Sequence, residues 1–200
     1  MSARYTGGMV STRYPVDPSL QAPLTVEKYH QMIDAGILGE DDRVELLEGV
    51  LVEMSPQYPA HARFISGFTA VAVPAVGPLH RVRIQLPLTL PPYGEPEPDI
   101  AIVEVEEENR ADSHPQIAVL IVEVASSSLP KDRLVKARVY ARAGIPEYWI
   151  ANIDAKCIEV HRSPHPAAEI YHDHEVIGAG QTIAPQAFPT LQLAVDALFA

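Results

Sequence analysis

An apolar run, Ile117-Ala118-Val119-Leu120-Ile121-Val122, ends on an acid, Glu123, and is followed closely by Ser126-Ser127-Ser128 and Pro130. A run of this length with turn formers behind it predicts a strand buried on both faces, in the middle of a sheet. A strand with one wet face would alternate polar and apolar residues instead. A carboxylate at the end of such a strand is costly to remove from water unless a cation or hydrogen-bond donors compensate it. Glu123 therefore points at a lysine, an arginine or a metal ion, or else it has already reached the solvated end of the strand.

Helix-like and strand-like segments alternate on either side of this strand, which predicts an α/β chain. Its 200 residues, 47% hydrophobic, suit a single domain over 24–200, preceded by an extended arm over 1–23 that carries Gly7-Gly8, Pro15, Pro18 and Pro23. Thr25 offers a helix cap ahead of Val26, Tyr29, Met32, Ile33 and Ile37, and Gly36 and Gly39 close that helix. Val44 to Glu53 reads as a hairpin turning at Glu48-Gly49, with Glu45 in its first strand. A helix is expected from about His61 to Val73, with Phe64, Ile65, Phe68 and Val71 as its buried stripe. His80 to Leu90 alternates as a strand, with Val82, Ile84 and Leu86 on one side and Arg81, Arg83 and Gln85 on the other. Asp99 stands at the entrance of the next strand, just after Pro98. Glu104 to His114 reads as an exposed loop or short irregular helix. Beyond Glu123, a helix capped by the serines should run to about Ala143, packing through Leu134, Val135, Val139 and Ala141. Strands around Tyr148, Ile158 and Ile170 form a terminal β-meander, and an amphipathic tail with Phe188, Leu191, Leu193, Val195 and Leu198 packs back on the body.

A formal net charge of -11 argues against a surface that grips nucleic acid throughout. The basic residues are concentrated locally: Lys131, Arg133, Lys136, Arg138 and Arg142 share one short segment with a single acid, Asp132, leaving ten basic residues against 25 acids elsewhere. A contact with a polyanion belongs on that helix, although a solvated amphipathic helix has the same pattern. The single Cys157 cannot form an internal disulfide, and Met1 to Val10 lack the build of a signal peptide, so a cytoplasmic location is expected. No apolar stretch approaches the roughly 20 residues that span a bilayer, so no membrane partner is expected.

Phosphate-loop, dinucleotide, paired-cysteine and H-E-x-x-H motifs are absent. His161, His165, His172 and His174 cluster in sequence, but on predicted strands with no carboxylate at helical spacing, and no metal site is assigned to them. The acids at strand edges, Glu45, Asp99 and Glu123, together with Lys136, form the remaining set. Mg²⁺ is held by one or two carboxylates, water and phosphate oxygens, so acids on neighbouring strands suffice for it. A nearby lysine can orient the attacking water or offset charge on the phosphate.

Pro98-Asp99 followed by Glu123 on an apolar strand resembles the PD-(D/E)xK nuclease superfamily. The ordered series Val44-Glu45-Leu46-Leu47-Glu48-Gly49, Met54-Ser55-Pro56, His61, Glu97-Pro98-Asp99, Val122-Glu123-Val124-Ala125-Ser126, Lys136 and Gly144-Ile145-Pro146-Glu147-Tyr148-Trp149-Ile150 is more closely similar to the bacterial putative restriction endonuclease family. That resemblance spans roughly 24 to 195. It implies a restriction-endonuclease-like mixed β-sheet flanked by helices, with Asp99 and Glu123 as ligands for Mg²⁺ or Mn²⁺ and Glu45 as an additional acid. His61 and Gln85 match positions that line the cleft. Where the superfamily has a lysine two residues after the acid, this chain has Ala125, and in the closer family the lysine moves to the following helix, here Lys136. The implied activity is hydrolysis of DNA phosphodiester bonds, with Lys131, Arg133, Arg138 and Arg142 meeting the backbone and a homodimer suited to cutting both strands. The alternative is an inactive nuclease-like scaffold that binds nucleic acid or a protein partner.

Overall fold

The computed structural model describes residues 22–39, 41–110 and 113–200. The arm expected over 1–23 lies, except for its last two residues, outside them. A six-stranded mixed sheet of order β3-β4-β5-β6-β7-β8 forms the centre, from β3 (His80–Ile84), β4 (Ile100–Glu104), β5 (Leu120–Ala125), β6 (Glu147–Asn152), β7 (Cys157–His165) and β8 (Ile170–Ile177). Only β5 and β6 run parallel among these neighbours. A parallel pair needs a crossover, and α4 (Leu129–Lys131), a π turn (Asp132–Lys136) and α5 (Ala137–Arg142) supply it as one continuous helix.

This crossover helix covers one face of the sheet, where Val139 and Tyr140 pack with Ala101, Ile121, Ala125, Tyr148 and Ile150. On the other face, Phe64, Phe68 and Ala72 of α2 (Pro59–Ala75) pack with Ile102, Val122 and Trp149. Both faces of β5 are thereby covered, and all six of its residues are buried. The tail joins the α2 side through β9 (Thr182–Ile183), β10 (Leu193–Ala194) and α6 (Val195–Leu198). Glu147 ties it down by accepting from Trp149 Nε1, Arg162 and the backbone N–H of Gln186.

At the N-terminal end, α1 (Val26–Asp34) is capped by Thr25, and with Leu46 it forms a small apolar cluster of its own. Strands β1 (Val44–Leu47) and β2 (Val50–Glu53) meet at Glu48 and Gly49, both at positive φ, 52° and 78°. A side chain at position 49 would have its Cβ 2.4 Å from that of Pro23, so glycine is required there for space as well as for conformation. Among the described residues no helix is long and apolar enough to cross a membrane.

Several expectations shift. The buried strand begins at Leu120, not Ile117, which is exposed; pairing with β4 and β6 moves it toward its C-terminus and puts Glu123 inside it rather than at its end. β3 stops at Ile84, because Gln85 turns to φ 51°; Leu86 is exposed, and Leu88 and Leu90 join the opposite core. Arg83, placed on the polar side, is buried and bonded to Glu108 and the carbonyl of Pro87. Glu108 itself ends a short helix, α3 (Val105–Glu108), in the acidic segment. Val71 lies at the margin of the buried face that runs along Phe64, Phe68 and Ala72, and is exposed. Leu134 is exposed as well, because the crossover helix turns Asp132, Lys136 and Tyr140 inward.

Candidate active site

Strand alternation directs Glu45 inward. Its neighbour Leu46 packs against α1, and Glu45, only 1% exposed, projects from the hairpin toward the C-terminal part of β5. Asp99 arrives from the entrance of β4. The pairing of Ile84 with Ile100 ends there, and Gln85, held at positive φ, sends its Nε2 to Asp99 Oδ1 at 3.1 Å. Asp99 Oδ2 accepts from the amide of Val124 at 2.8 Å and from His61 Nε2 at 3.0 Å. Asp99 is thus fixed beside the residue that follows Glu123.

Glu123 is 3% exposed, and its Oε1 accepts from Lys136 Nζ at 2.8 Å and from Tyr140 Oη at 2.7 Å. Lys136 Nζ also lies 3.0 Å from Glu45 Oε2, and Lys131 Nζ donates to Glu45 Oε1 at 2.8 Å. A regular α-helix turns 100° per residue, so side chains five apart would diverge by about 140°. The π turn between Lys131 and Lys136, in which Ala137 N–H donates to the carbonyl of Asp132, reduces that divergence and brings both ammonium groups to Glu45. A π turn inside an α-helix is often found at a functional site.

The cleft is about 60 Å³, against the roughly 10–15 Å³ that one water needs. Its lining includes five carboxylates, Glu45, Glu97, Asp99, Glu123 and Asp132, against three permanent cations, Arg43, Lys131 and Lys136. The imbalance appears in the proton affinities. Burial pushes Glu123 up to about 8; Lys136 opposes the rise, and Asp99, Asp132 and Glu45 add to it. Burial also raises Asp132, and it raises Glu97 together with repulsion from Glu45. For Lys136 burial works against the ammonium, but Glu123, Glu45 and Asp132 outweigh it and hold the charge. Burial likewise opposes the charge on Glu45 and Asp99, yet both remain below the usual carboxylate range. Lys136 and Lys131 do this for Glu45, and the bonds from His61, Val124 and Gln85 do it for Asp99.

With all five carboxylates ionised the cleft has two negative charges in excess, and hard oxygen donors on neighbouring elements are the ligand preference of Mg²⁺ or Mn²⁺. The Nδ1 of His61 is buried without a hydrogen-bond partner among the described residues.

The structure brings Glu45, Asp99, Glu123, Lys136, His61 and Gln85 together around one cleft, and Lys131 lines it too. Arg133, Arg138 and Arg142 lie outside it. Arg133 holds Glu159, Arg138 holds Glu48, and Arg142 lies 3.3 Å from Glu169. Asp132, Tyr140 and Glu97 belong to the site although sequence reasoning did not single them out. Asp132 and Tyr140 flank Lys136 four residues away on either side, a spacing that is visible in the sequence. Ala125 is fully buried in the core formed with Val139 and Tyr140, so the position two residues after the acid is covered by the helix that carries the lysine.

A family model described as "Uma2: Putative restriction endonuclease" matches residues 26–196. The fold is similar to the crystal structure of a putative nuclease belonging to DUF820 from Anabaena variabilis ATCC 29413. The TM-score is 0.71 at 18% identity, covering 88% of this chain and 98% of that one. No curated protein matches the sequence.

Proposed function

Since the chain belongs to the Uma2 family of putative restriction endonucleases, we propose that it is a metal-dependent nuclease that hydrolyses DNA phosphodiester bonds. The observation that carries this reading is the meeting of Asp99, Glu123, Glu45 and Lys136 in one cleft with more negative than positive charge.

Asp99 and Glu123 would hold Mg²⁺ or Mn²⁺, and such an ion, when bound, supplies Lewis acidity toward a phosphoryl oxygen and acidifies water. His61, Gln85 and the amide of Val124 fix the Asp99 carboxylate before any ligand arrives, which lowers the cost of organising the site. Lys136 is enclosed between Glu45 and Glu123, where it orients both acids and can donate to an attacking water. The side chain of Lys131 is 21% exposed, so with the exposed Arg43 it places cations at the mouth of the cleft, suited to a phosphate oxygen. Arg138 and Arg142, farther along the same helix, would meet the DNA backbone by exchanging Glu48 and Glu169 for phosphates.

A second reading, a scaffold that binds without cutting, is favoured by the ion pairs that already occupy Arg133, Arg138 and Arg142. Plasmid nicking by the purified protein with Mg²⁺ or Mn²⁺ tests the first reading. Asp99→Ala and Glu123→Ala should abolish cleavage. Equal cleavage by wild type and both variants would refute the assignment. Calorimetry that detects no binding of either ion would favour the scaffold.

A further inference from the structure

The outer strands of the sheet bear a second group of ligating side chains, on the same face as the cleft but separate from it. Glu159 and His161 are two residues apart on β7 and so project to one face, and His174 on β8 is the direct cross-strand partner of His161. The three residues present ligand atoms that all lie within 4.8 Å of one another. The two imidazole rings are 4.6 Å apart between centroids, and His161 also stacks on Tyr148 at 5.5 Å, which fixes its orientation. Nε2 of His161 is buried and finds no hydrogen-bond partner among the described residues. Such an atom ordinarily has a partner, an ordered water or an ion.

We propose that Glu159, His161 and His174 form a binding site for a divalent transition-metal ion of the Zn²⁺ class, distinct from the oxygen-rich cleft. Two imidazoles and a carboxylate are a donor set that Zn²⁺ accepts in tetrahedral geometry with a fourth position open to water, whereas Mg²⁺ prefers oxygen. The convergence comes from a cross-strand pair and not from a helical spacing, so it has no short-range signature in the sequence. Glu159 is currently held by Arg133 at 2.8 and 2.6 Å and by Asn152 at 3.2 Å. Arg133 is half exposed on the π turn, so an arriving cation displaces a guanidinium that is free to swing into solvent. Metal at this site therefore releases a basic side chain on the same turn that carries Lys136.

Zn²⁺ titration by calorimetry of the full chain, in an Asp99→Ala/Glu123→Ala background that removes the cleft acids, tests the site independently of any nuclease activity. One equivalent should bind, and a hundredfold excess of Mg²⁺ should not displace it. His174→Ala, at an exposed position on the edge strand where folding is not at risk, should weaken binding at least tenfold. Arg133→Ala should tighten it severalfold by removing the competing guanidinium. Failure to bind Zn²⁺, or binding unchanged by His174→Ala, would overturn the assignment.

Discussion

Lys136 and Glu123 are thirteen residues apart in the chain, yet Nζ and Oε1 lie 2.8 Å from each other inside the protein, with both side chains about 4% exposed. Neither is solvated, so each depends on the other. Lys136→Ala would leave Glu123 and Glu45 facing one another without the shared ammonium. Loss of one partner of a buried pair costs about 3–5 kcal/mol, and urea denaturation should show a loss of that size along with the loss of nicking. Lys136→Met, which keeps the apolar stem, should recover part of the stability and none of the activity.

The raised affinity of Glu123 for its proton gives stability a definite pH slope. An unfolded glutamic acid releases its proton near 4.5 and the folded one near 8, so in between the folded state holds a proton that the unfolded state has lost. Stability from this group is full below about 4.5 and is lost as pH rises through about 8, at no more than about 1.4 kcal/mol per pH unit. Thermal melts from pH 5 to 8 should show this decline in the wild type and a flatter profile in Glu123→Gln. Millimolar Mg²⁺ should oppose the decline in the wild type alone, because a cation favours the ionised carboxylate.

His61 reaches Asp99 from α2. Its Nε2 donates to one carboxylate oxygen, and removing an outer partner of a metal-ligating group typically weakens metal affinity about 10–100-fold. His61→Ala should show that loss in Mn²⁺ binding followed by electron paramagnetic resonance, with little change in melting temperature. Binding unchanged from wild type would remove His61 from the site.

Charge reversal at Arg138 and Arg142 separates DNA contact from chemistry. Each lost phosphate contact reduces the dependence of log affinity on log salt by about 0.9. The double variant Arg138→Glu/Arg142→Glu should therefore bind duplex DNA more weakly and with a shallower salt slope, yet hydrolyse a small phosphodiester as fast as wild type. An unchanged salt slope would place the DNA elsewhere.

Gly49 sets the position of Glu45. An alanine there meets both a positive φ and Pro23, and strain of this kind costs about 1–3 kcal/mol. Gly49→Ala should lower the melting temperature and lower activity with it, because the hairpin carries the acid that receives both lysines.

The elements with a short-range signal were the ones legible in the sequence. Glu48-Gly49 between two β-prone stretches marked the hairpin, and the alternation of helices and strands marked the α/β class. Asp99 stood out at the entrance of an apolar strand, just after Pro98, and Glu123 at the end of an apolar run. In the crossover helix Val139 and Ala141 are buried and Val135 packs against the core, as the apolar pattern predicts, but Leu134 faces solvent while Asp132 and Lys136 are buried, the reverse of what amphipathic patterning assumes. Burying polar groups is tolerated there because the sheet presents partners, Glu123 among them, and those partners are remote in sequence. The pairing of His161 with His174 was hidden in the same way, since it depends on which residues β7 and β8 set opposite one another.

The π turn at Asp132–Lys136 carries one residue more than a regular helix would use to cover the same arc. A chain of the same length that rewound there into an unbroken α-helix would be more comfortable for its backbone, but Lys131 and Lys136, five residues apart, would diverge by about 140° and only one of them would reach Glu45. The bulge is therefore a spacer that sets the angle between two charges, and straightening it at constant length would disassemble the pocket while leaving every strand in place.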